Sequence, residues 1–194
     1  MESYIIPTSE YKNRLKKIEY RFKKNKTSKK NVTKILYNYE KSRGSKNKIL
    51  VLCHGKFYDK KYKNCLLVDK EVNVKPDIIM DIWTSLHFFP KNYFDVIIME
   101  HCNMGNINEM KENNFPFHIN VNILWDNIKN ILKPGGIIKN DYILNLYSRF
   151  IYKKQFDGSK KIINEVINKL LKIGCSDVKY KKKYKNIHEI IITK

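Results

Sequence analysis

The sequence predicts an α/β domain built on an open, mostly parallel sheet whose last strand runs antiparallel. Three observations predict it. From Lys48 onward, short apolar runs of strand length alternate with longer polar or helical segments. Those runs are rich in Ile, Val and Leu with little alternation, the pattern of strands buried on both faces. The last two runs are joined by KKKYKN, a basic connection short enough for a hairpin.

The elements follow in order. Tyr11, Leu15, Ile18 and Phe22 make one stripe of an amphipathic helix over residues 8–26, with Thr8 or Ser9 as cap and Glu10 in its first turn. Lys23 to Lys30 is a charge run, read as a loop. Val32, Ile35, Leu36 and Tyr39 mark a second helix that ends near Gly44. Strands are then expected at Ile49 to Leu52, Cys65 to Val68, Asp77 to Met80, Phe94 to Met99 and Gly136 to Lys139. Between the last two, Val121, Leu124, Trp125, Ile128 and Ile131 recur at helical spacing and stop at Lys133-Pro134-Gly135-Gly136. Ile163, Val166, Ile167, Leu170 and Leu171 place another helix over Lys160 to Ile173, stopped by Gly174. Cys175 to Tyr180 and Ile187 to Thr193 close the sheet. The expected division is a basic helical extension over 1–46 and an α/β domain over 47–194.

The chain has 194 residues, 39 of them Lys or Arg and 19 Asp or Glu, for a net charge of +20. Such a balance points to an anionic partner such as nucleic acid. A second source is equally open. The sequence has no alanine, and 35 of its basic residues are lysine against 4 arginines. Asn, Ile, Lys and Tyr are abundant, and all four have AT-rich codons, so an AT-biased genome gives this composition without selection for binding. No stretch approaches the ~20 apolar residues of a membrane-spanning helix, and the N-terminus lacks a signal peptide's apolar centre. Cys53, Cys65, Cys102 and Cys175 form no CxxC pair, so no zinc site is expected. They are expected to be reduced thiols of an intracellular, cytoplasmic protein.

In open α/β sheets a ligand binds beyond the carboxyl ends of the strands. Here the first strand is followed by Cys53-His54-Gly55-Lys56-Phe57, the second ends at Asp69, the third at Asp81, and the fourth runs into Glu100-His101-Cys102. Three of four strand ends therefore carry a carboxylate, an acidic crevice in a very basic chain. Carboxylates so placed suit ribose hydroxyls or a cation. His101 has a side-chain pKa range suited to a general base, and His54 shares that rim. Each histidine also reads as an ordinary strand-end residue.

KILVLCHG, LLVD, PDIIMDIWTSLHFFPKNYFDVIIMEHC and ILKPGG, in that order, resemble a class I S-adenosylmethionine-dependent methyltransferase over about Lys48 to Lys194. The resemblance implies a three-layer Rossmann-like methyltransferase fold preceded by a helical extension, with S-adenosylmethionine as cofactor. It implies that Cys53, His54, Gly55 and Phe57 form the loop at the methionine end of the cofactor, that Asp69 holds the ribose hydroxyls, and that Asp81 and Ile82 flank the adenine. Glu100 and His101 would face the methyl acceptor. The lysine- and asparagine-rich form of the pattern resembles proteins of large DNA viruses. In the first loop the family usually has an acid followed by three alternate glycines; Cys53, Phe57 and Asp59 occupy the acid and the second and third glycine positions.

Lys181, Lys182, Lys183 and Lys185 around Tyr184 form a basic, aromatic-bearing turn. If the sixth strand runs parallel to the core, this turn shares the rim of the crevice and can guide a phosphate backbone toward it. Two functions are thus expected: a methyltransferase with an anionic substrate such as RNA, or a catalytically inactive methyltransferase-like module that binds nucleic acid or a protein partner. A dehydrogenase fits less well, because the glycines of a dinucleotide loop are missing.

Overall fold

The computed structural model describes residues 28–43, 47–53, 62, 64–82, 85–99, 126–141, 143–152, 154–172, 175–182 and 188–194. The expected helix over 8–26 lies outside them.

Helix α1 (Lys29–Arg43) takes up the stripe expected for it. Val32, Leu36 and Tyr39 are buried in the same core as the sheet. Lys29 and Lys30 open this helix and do not belong to a loop: the Asn31 N–H bonds to the Ser28 hydroxyl at 3.3 Å, which caps the first turn. The Tyr39 hydroxyl donates to the Ile49 carbonyl at 2.8 Å and accepts the Ile49 N–H at 2.9 Å, pinning the helix to the start of β1 (Ile49–Leu52). Tyr39→Phe removes the acceptor of the Ile49 N–H and a donor to the Ile49 carbonyl. It is expected to cost about 1–3 kcal/mol, read as a lowered urea midpoint.

The remaining strands are β2 (Leu66–Asp69), β3 (Ile78–Ile79), β4 (Phe94–Met99), β5 (Leu132–Asn140), β6 (Asp177–Lys182) and β7 (His188–Thr193). They form one sheet in the order β3-β2-β1-β4-β5-β7-β6. β1 to β5 are mutually parallel, and β7 runs antiparallel to both β5 and β6. This is the Rossmann-like methyltransferase arrangement. Leu50, Val51 and Leu52 of β1 and Ile97 and Met99 of β4 are fully buried at the sheet centre, as the apolar runs ILVL and VIIM require.

Between β2 and β3 the chain makes only a short 3-10 turn, Val72–Val74, and a second turn, Leu86–Phe88, precedes β4. Helical residues 126–131 lead straight into β5. β5 starts at Leu132, four residues before the expected start at Gly136. Lys133-Pro134-Gly135 had the signature of a turn, but the C-terminal residue supplies pairing: the Gly135 N–H donates to the Lys194 carbonyl and the Lys194 N–H to the Gly136 carbonyl, both at 3.0 Å. The register shift against Phe94 and Val96, and the positive φ of Gly135 (73°), mark the bulge that admits this proline.

Two helices complete the described fold. α2 (Ile143–Ile151) was not expected; α3 (Lys160–Lys172) was. The hydroxyls of Tyr147 and Tyr152 both donate to Glu165, at 3.2 and 2.7 Å, and tie the two helices together. α3 buries Ile162, Ile163, Val166 and Leu170.

β6 ends later than its expected limit at Tyr180. Lys181 and Lys182 are strand residues level with Glu189 and His188, not part of a turn, because the cross-strand ladder of β7 continues past Tyr180. His188 is buried against Phe156, whose ring it meets edge-on at 4.8 Å. Burial, then the charge of Lys182, holds its pKa below the usual histidine value. The ring shares a hydrogen bond through Nδ1 with the Tyr180 hydroxyl, 2.7 Å away. The folded chain therefore binds fewer protons at His188 than the unfolded chain. This stability is complete above the unfolded pKa of about 6.5 and is lost as pH falls through it. Urea midpoints should drop between neutral pH and about pH 5, and His188→Gln should flatten that drop.

Candidate functional site

The strand order reverses between β1 and β4. From β1 the chain moves outward to β2 and β3; from β4 it moves the other way to β5. Leu52 is level with Met99 across that junction, so both strands end on one rim, where an open α/β sheet leaves its crevice. Every described strand end on this rim carries a polar residue or leads into one.

Cys53 follows β1 and is the first residue beyond the sheet. Its N–H donates to the Val68 carbonyl at 2.8 Å, and its φ of 58° is left-handed, unusual for a side-chain-bearing residue. Cys53 is disulfide-bonded. This corrects the expectation of four reduced thiols. Cys65 and Cys175 are free, and Cys102 lies outside the described residues. With its sulfur in a disulfide, Cys53 is neither a thiolate nucleophile nor a metal ligand.

Asp69 closes β2 and is buried to 8% exposure. Its backbone carbonyl accepts the Met80 N–H at 2.9 Å, which continues the β2–β3 ladder. Its carboxylate accepts the Glu71 N–H at 2.9 Å, an Asx turn that fixes the side chain at the strand end. One strand over, the Asp81 carbonyl accepts the Ser85 N–H at 3.1 Å, and Ile82 is buried beside it. Cys53, Asp69, Asp81 and Ile82 thus all follow strands of the same rim, as expected.

Sequence reasoning stopped at the fourth strand and missed the fifth. Asn140 ends β5, fully buried, and Asp141 follows it, buried as well. The Asp141 N–H donates to the Met99 carbonyl at 3.4 Å, and the Asn140 amide reaches the Met99 sulfur at 3.6 Å. Asn140 Oδ1 accepts the Ile143 N–H at 2.8 Å and so caps α2. The signal was an Asn-Asp pair directly after an apolar run, overlooked because the strand was ended at Lys139.

His54, Gly55, Phe57, Glu100, His101, Lys183 and Lys185 lie outside the described residues. Lys181 and Lys182 are exposed on the edge strand β6. β6 pairs antiparallel with β7, which pairs antiparallel with β5, so β6 runs parallel to the core and Lys182 ends on the rim of the crevice. Four strand spacings separate β6 from β1, roughly 19 Å. Among the described residues no cluster of three metal-ligating side chains occurs, and no helix is long and apolar enough to cross a membrane.

The sequence matches no family model and no curated protein. Solved structures do resemble the fold. A SAM-dependent methyltransferase from Archaeoglobus fulgidus is 13% identical over 91% of this chain and 99% of its own, with a TM-score of 0.47. N-methyltransferase NodS from Bradyrhizobium japonicum, in complex with S-adenosyl-L-homocysteine, is 13% identical over 83% of each chain, with a TM-score of 0.44. At these values neither assigns a residue role or a reaction to this chain. The fold rests on its own strand order.

Proposed function

We propose that this chain is an S-adenosylmethionine-dependent methyltransferase acting on an anionic substrate, with RNA as the substrate class. The observation that carries it is Asp69: a buried carboxylate at the end of β2, held by the Glu71 N–H beside the point where the strand order reverses. A carboxylate so held accepts two hydrogen bonds from a ribose diol. Buried Ile82, after β3, offers an apolar surface for a purine. These residues fit the adenosine half of the cofactor. When bound, the cofactor supplies an electrophilic methyl group on a sulfonium.

The residues of this chain bind and align. Asp69 would hold the ribose, and Asp81 and Ile82 the adenine. Cys53, His54, Gly55 and Phe57 would border the methionine end. Glu100 and His101, and Asp141 after β5, would face the acceptor, where a base takes up the proton that some acceptors release. The rest of the rate comes from lining up nucleophile, methyl and sulfur. Lys181 and Lys182 on the same rim, with the +20 net charge, support an anionic substrate.

One observation favours a second reading. Cys53, disulfide-bonded and left-handed, occupies the position where the methyltransferase pattern has an acid. A module that keeps the fold and binds nucleic acid or protein without methyl transfer accounts for that. Calorimetric titration with S-adenosylhomocysteine separates the two. Micromolar binding is expected. A folded, cofactor-free sample that gives no heat at millimolar ligand overturns the proposal in favour of the inactive module.

A further inference from the structure

The outward face of α1 carries a pattern that neither the fold nor methyl transfer uses. At ~100° per residue, Lys30, Lys34, Tyr37 and Lys41 fall within about 60° of arc, diametrically opposite Val32, Leu36 and Tyr39. All four are exposed, and Tyr37, at 66%, is the most exposed large hydrophobic residue described. The stripe runs about 16 Å along the helix, with lysines about 6 and 10 Å apart and the ring between them. The helix has one carboxylate, Glu40, which pairs with Lys48 away from the stripe. Lys30, Lys34 and Lys41 take part in no ion pair among the described residues. Lys30 and Lys34 repel across one turn, so the stripe does not serve the helix that bears it.

We propose that this stripe is a docking surface for single-stranded nucleic acid, with the lysines against successive phosphates and a base stacked on Tyr37. Lysine is a point charge suited to backbone contact without sequence reading. An exposed ring set between cations is the recurring device for holding unpaired bases. An acidic protein surface would use the lysines but leave the ring without a task. The surface acts without cofactor and is independent of methyl transfer.

The test uses the full chain and a fluorescein-labelled mixed-sequence single-stranded RNA of roughly two 10-nucleotide tracts, a length that covers the stripe. Anisotropy is read over a series of salt concentrations without cofactor. The variant Lys30→Gln/Lys34→Gln/Lys41→Gln should lower the slope of log K against log[salt] by about 2, at ~0.7 per phosphate. Lys91→Gln/Lys160→Gln/Lys172→Gln removes the same charge from the turn before β4 and the two ends of α3, all exposed and outside α1, and should leave the slope unchanged. Tyr37→Ala should weaken binding about tenfold at every salt concentration, and Tyr37→Phe should not. Circular dichroism checks the helix, which tolerates glutamine as well as lysine. Three outcomes overturn the proposal. One is no salt-dependent binding by the parent chain. Another is equal loss of slope in the two triple variants, which leaves only bulk charge. The third is a poly-glutamate peptide or an RNA duplex that competes as well as the single strand, with Tyr37 dispensable.

Discussion

Asp69→Ala is expected to abolish binding of S-adenosylhomocysteine while the sheet stays folded. The carboxylate sits at the end of β2 with one oxygen taken by the Glu71 N–H. Two hydrogen bonds from a ribose diol to a charged acceptor are worth about 1.5–3 kcal/mol each. Their loss weakens binding by at least about 100-fold. The turn that Asp69 caps is short and lies outside the strand ladder, so its loss costs about 1 kcal/mol of stability and not the fold. Asp69→Asn keeps an oxygen for the Glu71 N–H and gives up the charge and one acceptor oxygen. It should fold like the parent chain and bind with an affinity between those of the parent and the alanine variant. Calorimetry gives the affinities and circular dichroism the fold. Unchanged affinity in a folded Asp69→Ala sample would remove Asp69 from the cofactor site.

Most of the sheet was legible in the residues because its physics is local. Ile49–Leu52 is a continuous apolar run of strand length and Phe94–Met99 is apolar but for Asp95, and both are strands with those limits. Lys29–Arg43 and Lys160–Lys172 show helical spacing ended by glycine within two residues. What failed depended on distant partners. Lys133-Pro134-Gly135 is turn chemistry by itself; it enters β5 because Lys194 pairs with it. α2 escaped notice although Leu144 and Tyr147 are correctly spaced, since its cap, Asn140, was left in the preceding connection. Asp141 was lost with that boundary. Lys181 and Lys182 look like a basic turn, and only the ladder to His188 and Glu189 makes them strand. Nothing in the cysteine spacing marks the disulfide at Cys53.

Phe94→Ala is expected to remove about 4 kcal/mol of stability. Phe94 is fully buried at the start of β4 and is level with Leu132 of β5. Its ring meets Phe89 edge-on at 5.3 Å and Tyr93 at 4.9 Å, with interplanar angles of 80° and 85°. Truncation loses the transfer energy of the ring, leaves a cavity that strands cannot close, and removes two edge-to-face contacts. Folded domains hold only about 5–15 kcal/mol, so about a quarter or more of the total is at stake. Phe94→Leu refills most of the space and should cost about half as much. The site provides the control. Phe94 opens β4 and Met99 closes it, five residues and roughly 16 Å away along the strand. The cavity therefore forms at the end of the strand remote from Asp69 and Cys53. Urea titration should show the large loss, while the folded fraction keeps its affinity for S-adenosylhomocysteine. An equal loss of affinity would mean that β4 transmits packing defects to the rim, and undiminished stability would mean that the core is not organised around this ring.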